Sequence, residues 1–289
     1  MLIPKGLKTV RRASQLFGIL YINLYFLVLF SKQIYMGPCK SICVPFMYCH
    51  ACPSAVFSCP IGAVQHYAAI RQFPYFVLGH FALVGLLIGR TACGWLCPFG
   101  FLQDLMYRVK SRKIEIPRNS LIPFLCLLVL VVLLPFFTAQ HWFSKLCPIG
   151  TLVAGIPWVS WNPVNPATGV PTIAEGAVGA MFYLKIAILV LLLAFFVVAK
   201  RPFCRFLCPL GFFSGFFNKV SIVKIKVGPG CTECDACKDN CPMGLTVRED
   251  PSSTDCIRCL ECTQCQHVEC SVFSSRENPS EAAASTISK

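Results

Sequence analysis

Hydrophobic positions along the chain gather into four long runs, separated by polar stretches dense in cysteine. The runs cover about 13–30, 73–88, 121–139 and 178–199. A helix needs roughly 20 apolar residues to cross a bilayer, with a range of about 17–25. The second run is short by its apolar core, and its flanks Phe73-Pro74-Tyr75 and Thr91-Ala92 complete it. Pro135 lies inside the third and is expected to kink it near one end. After residue 220 the pattern changes to short polar segments punctuated by cysteines, and beyond Ser274 (ending ENPSEAAASTISK) the composition is that of a disordered tail. The expected fold is an all-α membrane protein of four transmembrane helices with a small C-terminal cysteine-rich domain.

An internal repeat organises the membrane part. The first run leads to Cys59-Pro60-Ile61-Gly62, and the second to Cys93-Gly94-Trp95-Leu96-Cys97-Pro98-Phe99-Gly100. The third leads to Cys147-Pro148-Ile149-Gly150, and the fourth to Cys204-Arg205-Phe206-Leu207-Cys208-Pro209-Leu210-Gly211. Two tandem halves, 13–110 and 121–219, are expected around a pseudo-two-fold axis along the membrane normal. The remaining boundaries follow: a basic N-terminus over 1–12, the cysteine-rich domain over 220–273 and the disordered tail over 274–289.

Composition agrees. Hydrophobic residues make up 55% of the chain and charged ones 13%, against about 25% charged in soluble domains, and the mean hydropathy is +0.63. Residues 1–220 hold 19 Lys and Arg against three acids, whereas residues 221–289 hold 7 against 10. The basic residues flank apolar runs and form no continuous stripe, which argues against nucleic acid and for a lipid bilayer. They cluster at the N-terminus (Lys5, Lys8, Arg11, Arg12), after the second run (Arg108 to Arg118) and after the fourth (Lys200, Arg201, Arg205, Lys219). By the positive-inside rule both termini face the cytoplasm of a multi-pass inner-membrane protein. Arg11-Arg12 ahead of an apolar run raises a twin-arginine signal, but no small-residue cleavage site follows, so a retained anchor is expected.

The C-terminal motif carries the chemistry. Cys231-x2-Cys234-x2-Cys237-x3-Cys241-Pro242, followed by Cys256, Cys259 and Cys262, is the bacterial ferredoxin arrangement for two [4Fe–4S] clusters. Zinc ribbons fit it poorly. In the crossover arrangement Cys241 completes the set of Cys256, Cys259 and Cys262, and Cys265 or Cys270 completes that of Cys231, Cys234 and Cys237. Cys265 is favoured, because a one-residue shift is the smaller adjustment. Cys93, Cys97, Cys204 and Cys208 supply four thiols at equivalent depths, enough for a further cluster. The alternative is that Cys-Pro-x-Gly merely shapes helix ends. Cys126 reads as packing.

The outer loop is crowded: Cys39, Cys43, Cys49, Cys52 and Cys59 lie close together, and Cys147 joins from the second half. Three readings compete. They are structural disulfides, another cluster on Cys49, Cys52, Cys59 and Cys147, and thiol–disulfide exchange by Cys49-His50-Ala51-Cys52. Lys185, inside the fourth run, is the one clear intramembrane charge and a functional candidate by that fact.

The paired CxxxCP motifs, the four helices and the di-cluster tail together resemble the NapH-type membrane ferredoxins. The pattern is also similar to the membrane domain of nitrous oxide reductase regulators and to methylamine-utilisation ferredoxin-type proteins. The resemblance covers roughly residues 10–270 and implies a quinol dehydrogenase component. In such a component electrons pass between the quinone pool, or cytoplasmic clusters and partners, and a redox protein at the outer face. It implies a quinone site, for which Gln65, His66, Gln140 and His141 near the outer ends of the second and third helices are candidates, His being suited to proton exchange. Two other functions stay open: a transmembrane thiol reductant acting through Cys49 and Cys52, and an assembly or regulatory factor for a periplasmic metalloenzyme.

Overall fold

The computed structural model describes residues 6–31, 33–114, 120–162, 178–228, 231, 234–265 and 267–272, so the polar stretch beyond Ser274 lies outside the described residues. Helices dominate. Leu121–Thr138 and Ala180–Val198 are long and apolar enough to cross a membrane, and only 22% and 11% of them are buried. A core helix of a soluble protein is buried along its apolar face; these two turn theirs outward. Tyr75–Ile88 is shorter, at 14 residues, and exposes Phe76, Leu83, Leu86 and Leu87. Apolar surface of this extent is the kind that faces a membrane or a partner protein.

The first run, expected as one helix over about 13–30, divides into Leu7–Ile22 and Val28–Ser31. Asn23 causes the break. Its backbone N–H and its Nδ2 both donate to the Ile19 carbonyl, at 3.3 and 2.9 Å. Its Oδ1 accepts from Tyr48 and Ser54, each at 2.7 Å, and this competition draws the chain into the cysteine-rich loop. The helix also begins early enough to include Arg11, which is buried.

Around Pro135 the backbone stays helical and changes its turn type. The helix from Leu121 passes into a π segment, Cys126–Leu133, and the Leu134 amide bonds five residues back to Val129. A second π segment, Thr151–Gly155, likewise precedes Pro157. Widened turns of this kind accommodate a ring that would otherwise clash with the preceding carbonyl.

The cysteine-rich domain is closed by a two-stranded antiparallel sheet, β1 (Val223–Val227) and β2 (Val268–Val272), with Val223 opposite Val272. Two strands alone are marginal in water, and this domain leans on the helical part. A Cβ at Gly94 would collide with the Ile257 carbonyl oxygen, and one at Gly215 with that of Thr254. Both glycines therefore admit backbone-to-backbone contact between the domain and the helix ends below it.

Candidate metal centres

Each of the four Cys-Pro-x-Gly sequences starts a helix, at Pro60, Pro98, Pro148 and Pro209, with Cys59, Cys97, Cys147 and Cys208 as extended N-cap residues. Proline suits the first helical position, where no N–H is needed. The glycine amide two residues further on donates to the cysteine sulfur: Gly62 to Cys59, Gly100 to Cys97, Gly150 to Cys147 and Gly211 to Cys208, the last at 3.2 Å. A helix N-terminus favours thiolate, and hydrogen bonds to sulfur help set cluster potentials.

Among the inner thiols, Cys97 lies within electrostatic reach of Cys93 and Cys204, and Cys208 of Cys204 and Cys93. Two buried arginines, Arg90 and Arg201, cross over this set. Arg90 donates to the Cys204 carbonyl (2.9 Å) and to Thr254 of the cysteine-rich domain (3.0 Å). Arg201 donates to the Cys93 carbonyl at 3.4 Å and lies against Gly100, while Arg90 lies against Gly211. Gln103 donates to the Cys204 sulfur at 3.2 Å. Arg90 Nε and Gln103 Oε1 are buried without a hydrogen-bond partner. Four buried or half-buried thiols beside two buried guanidinium groups form a donor set that fits an anionic iron–sulfur cluster. Sequence reasoning missed the arginines. The signal was there: Arg90 and Arg201 each stand three residues before Cys93 and Cys204, so the repeat is Arg-x2-Cys-x3-Cys-Pro-x-Gly.

A second polar knot ties the layers together. Asp104 accepts two bonds from Arg201, both at 2.6 Å, and also pairs with Arg11. Arg11 pairs in turn with Glu261 of the cysteine-rich domain and donates to the Gly94 carbonyl at 3.0 Å. Burial pushes the Asp104 carboxyl up, but Arg201 and Arg11 outweigh it and hold the group below the usual carboxylate range.

In the cysteine-rich domain, Cys231, Cys234, Cys237 and Cys265 line one cavity. Cys270 instead sits in β2, opposite Ile225. Cys262 lies within electrostatic reach of Cys259, Cys256 and Cys241. Cys93 packs with Cys241, Cys259, Met243 and Ile257 in a single buried cluster, against which Cys204 and Cys256 also pack.

Elsewhere in the helical part, Cys49, His50, Cys59 and Cys147 line a small cavity. Cys52 is 4% exposed and its sulfur faces Tyr48, Asn23 and Ser54 instead. Lys185 lines an adjoining cavity with Cys49 and His50. Among the described residues, no three His, Cys, Asp or Glu side chains form a group that could hold a single metal ion. His66 and His141 stack, with ring centroids 6.0 Å apart. Burial, with His66 and Lys145 adding to it, lowers the proton affinity of His141. Gln65 is diverted to Ser144 (3.0 Å), and Gln140 pairs with Lys145. Neither histidine lines an apolar cavity of about 460 Å³ that runs from Arg71 and Phe73 to Leu210 and Phe213.

These features define a ferredoxin-type iron–sulfur protein. Residues 70–117 and 181–229 each match the 4Fe-4S binding domain family, and each match holds one apolar helix with one arginine–cysteine motif. An uncharacterized protein of Methanocaldococcus jannaschii is 32% identical over 187 residues, covering 61% of this chain and 68% of that protein. The methylamine utilization ferredoxin-type protein MauN of Methylorubrum extorquens is 27% identical, covering 63% and 54%. The ferredoxin-type protein NapH of Haemophilus influenzae is 28% identical, covering 68% and 62%. The chain thus spans between about half and two thirds of the length of the curated relatives it matches. No solved structure matches it. The chain belongs to the NapH-type ferredoxin family.

Proposed function

We propose that this chain is a multi-pass inner-membrane electron-transfer protein that links the quinone pool or cytoplasmic donors to a redox partner at the outer face. The observation that carries this reading is the shared buried cluster of Cys93 with Cys241 and Cys259, and of Cys204 and Cys256 against it. It makes the inner thiols and the domain's thiols neighbours in one water-excluded layer. Cys231, Cys234, Cys237 and Cys265 hold one [4Fe–4S] cluster, Cys241, Cys256, Cys259 and Cys262 a second, and Cys93, Cys97, Cys204 and Cys208 a third. When bound, such clusters supply one-electron transfer. The glycine amides and the two crossing arginines stabilise the thiolates, and Phe203, Leu210 and Ile257 exclude water around them.

Four spans in two parallel halves with both termini inside is the topology we assign. Its support is the loop charge, the doubled family match and the reciprocity of Arg90 and Arg201. The apolar cavity between the Pro60–Ala69 and Tyr75–Ile88 helices is the proposed quinone seat: four phenylalanines line it, and Arg71 and Gln72 give it a polar end. Thiol exchange by Cys49 and Cys52 draws no support from a Cys52 sulfur buried against Tyr48 and Asn23.

The test is iron and acid-labile sulfide on anaerobically purified full chain. The C93S/C204S double variant is expected to lose about four irons relative to the parent, and an unchanged count overturns the third cluster. Electron paramagnetic resonance after adding a quinol analogue, then a quinone, tests the lipid-side partner. If neither changes the cluster signals, quinone leaves the reading.

A further inference from the structure

We propose that the outer end of the membrane domain holds its own [4Fe–4S] cluster, ligated by Cys49, Cys59 and Cys147 with His50 as the fourth ligand. The assignment stands on the outer residues alone, whether or not the inner thiols bind a cluster. Like the inner set, it draws on both halves of the chain, with Cys147 coming from the second.

Three sulfurs take backbone amides that oppose the cost of burying a thiolate. Cys59 receives the amides of Gly62, Ile61 and Tyr48, Cys147 those of Gly150 and Ile149, and Cys49 that of Ala51. Donors converging on sulfur stabilise thiolate and tune clusters; a disulfide has no charge for them to stabilise. The cavity also resembles the one lined by the ferredoxin motif: both are small, at about 20 and about 10 Å³, and both are lined by cysteines brought together from separate segments.

The fourth ligand is His50 and not Cys52. The His50 ring lies where a side chain on Gly62 would stand, its Nδ1 2.7 Å from that Cβ position, and it lines the same cavity as the three sulfurs. Cys52 does not line that cavity; its sulfur lies 3.4 Å from Ser54 Oγ and 3.6 Å from Asn23 Oδ1. Zinc would need ligands converging on one ion, and no such group exists among the described residues. A cubane takes its ligands at separated corners. With three thiolates and a neutral imidazole, an oxidised cubane carries one net negative charge, and Lys185 supplies one cation beside Cys49 and His50. That gives the intramembrane lysine a partner.

The full chain, purified anaerobically in detergent, provides the test. Four filled sets give about 16 irons per chain, and three give about 12. A parent value of about 16 is expected, and about 12 with the C93S/C204S loss intact overturns the outer cluster while leaving the inner one standing. C59S/C147S should remove about four irons independently of C93S/C204S, and the reverse pattern overturns the inner reading alone. Should C59S/C147S fail to fold, the parent count decides. H50C should keep its irons and lower the midpoint potential of one signal, since imidazole ligation raises it. C52S should change neither iron nor potential; if C52S removes about four irons, or H50C moves no signal, the His50 assignment is overturned.

Discussion

Replacing Arg90 by glutamine removes a buried positive charge from beside the inner thiols. Arg90 is 2% exposed and its guanidinium bonds the Cys204 carbonyl at 2.9 Å, which places it on the order of 7 Å from a group held by the Cys204 sulfur. At an effective dielectric of about 20, a unit charge at about 7 Å contributes about 2.4 kcal/mol. For one electron, where 59 mV is tenfold, that corresponds to about 100 mV. Asp255, 3.7 Å from Arg90 and 23% exposed, offsets part of it, so about 50–100 mV is expected. Loss of a cation disfavours the reduced form, so the midpoint potential falls. The assay is a redox titration of the detergent-purified chain followed by electron paramagnetic resonance, with the exposed Arg108→Gln as control. A midpoint unchanged within titration error, at unchanged iron content, would refute the placement of Arg90 beside a redox centre.

Other outcomes follow from the same contacts. Arg11→Met leaves Glu261 buried without its partner, and breaking such a pair costs about 3–5 kcal/mol. Hydrogen exchange should quicken over 254–262 while Ala180–Val198 is unaffected. Asp104 has a depressed carboxyl in the folded chain, so its stabilisation is present above its unfolded value and is lost as pH falls through the folded one. Thermal unfolding should therefore be insensitive to this group from neutral pH to about pH 4 and weaken below that; Asp104→Asn should be less stable at neutral pH and lose that dependence. Cys265→Ser should cost one set of about four irons, whereas Cys270→Ser should cost none. Gly215→Ala forces a methyl group onto the Thr254 carbonyl and should undock the cysteine-rich domain, read as faster proteolysis of that domain.

The family, the iron–sulfur chemistry and the apolar helices were legible in the sequence because each rests on local spacing: Cys-x2-Cys runs, Cys-Pro-x-Gly caps and unbroken apolar stretches. The preference for Cys265 over Cys270 also came from spacing, and the structure places Cys265 in the cavity with Cys231, Cys234 and Cys237. What depended on distant partners was not legible. Asn23 ends the first helix through hydrogen bonds to Tyr48 and Ser54, partners no hydropathy window contains. Arg11 reads as loop charge until Asp104 and Glu261 arrive beside it. Cys52 belongs by spacing to the outer thiols, yet a local hydroxyl network turns its sulfur aside. Gln65 likewise looks free for a ligand until Ser144 closes on it.

The crossing of Arg90 and Arg201 bears on how the molecule is made. Each guanidinium reaches the other half's cysteine motif, so a chain emerging from the ribosome with only its first motif has two thiols and the wrong arginine. The inner pocket gains its counter-charge once the second motif is in place, and Arg90 reaches Thr254 only later still. On the proposed cluster assignment, filling of this layer therefore follows translation of the second motif, and the order of the chain itself delays it.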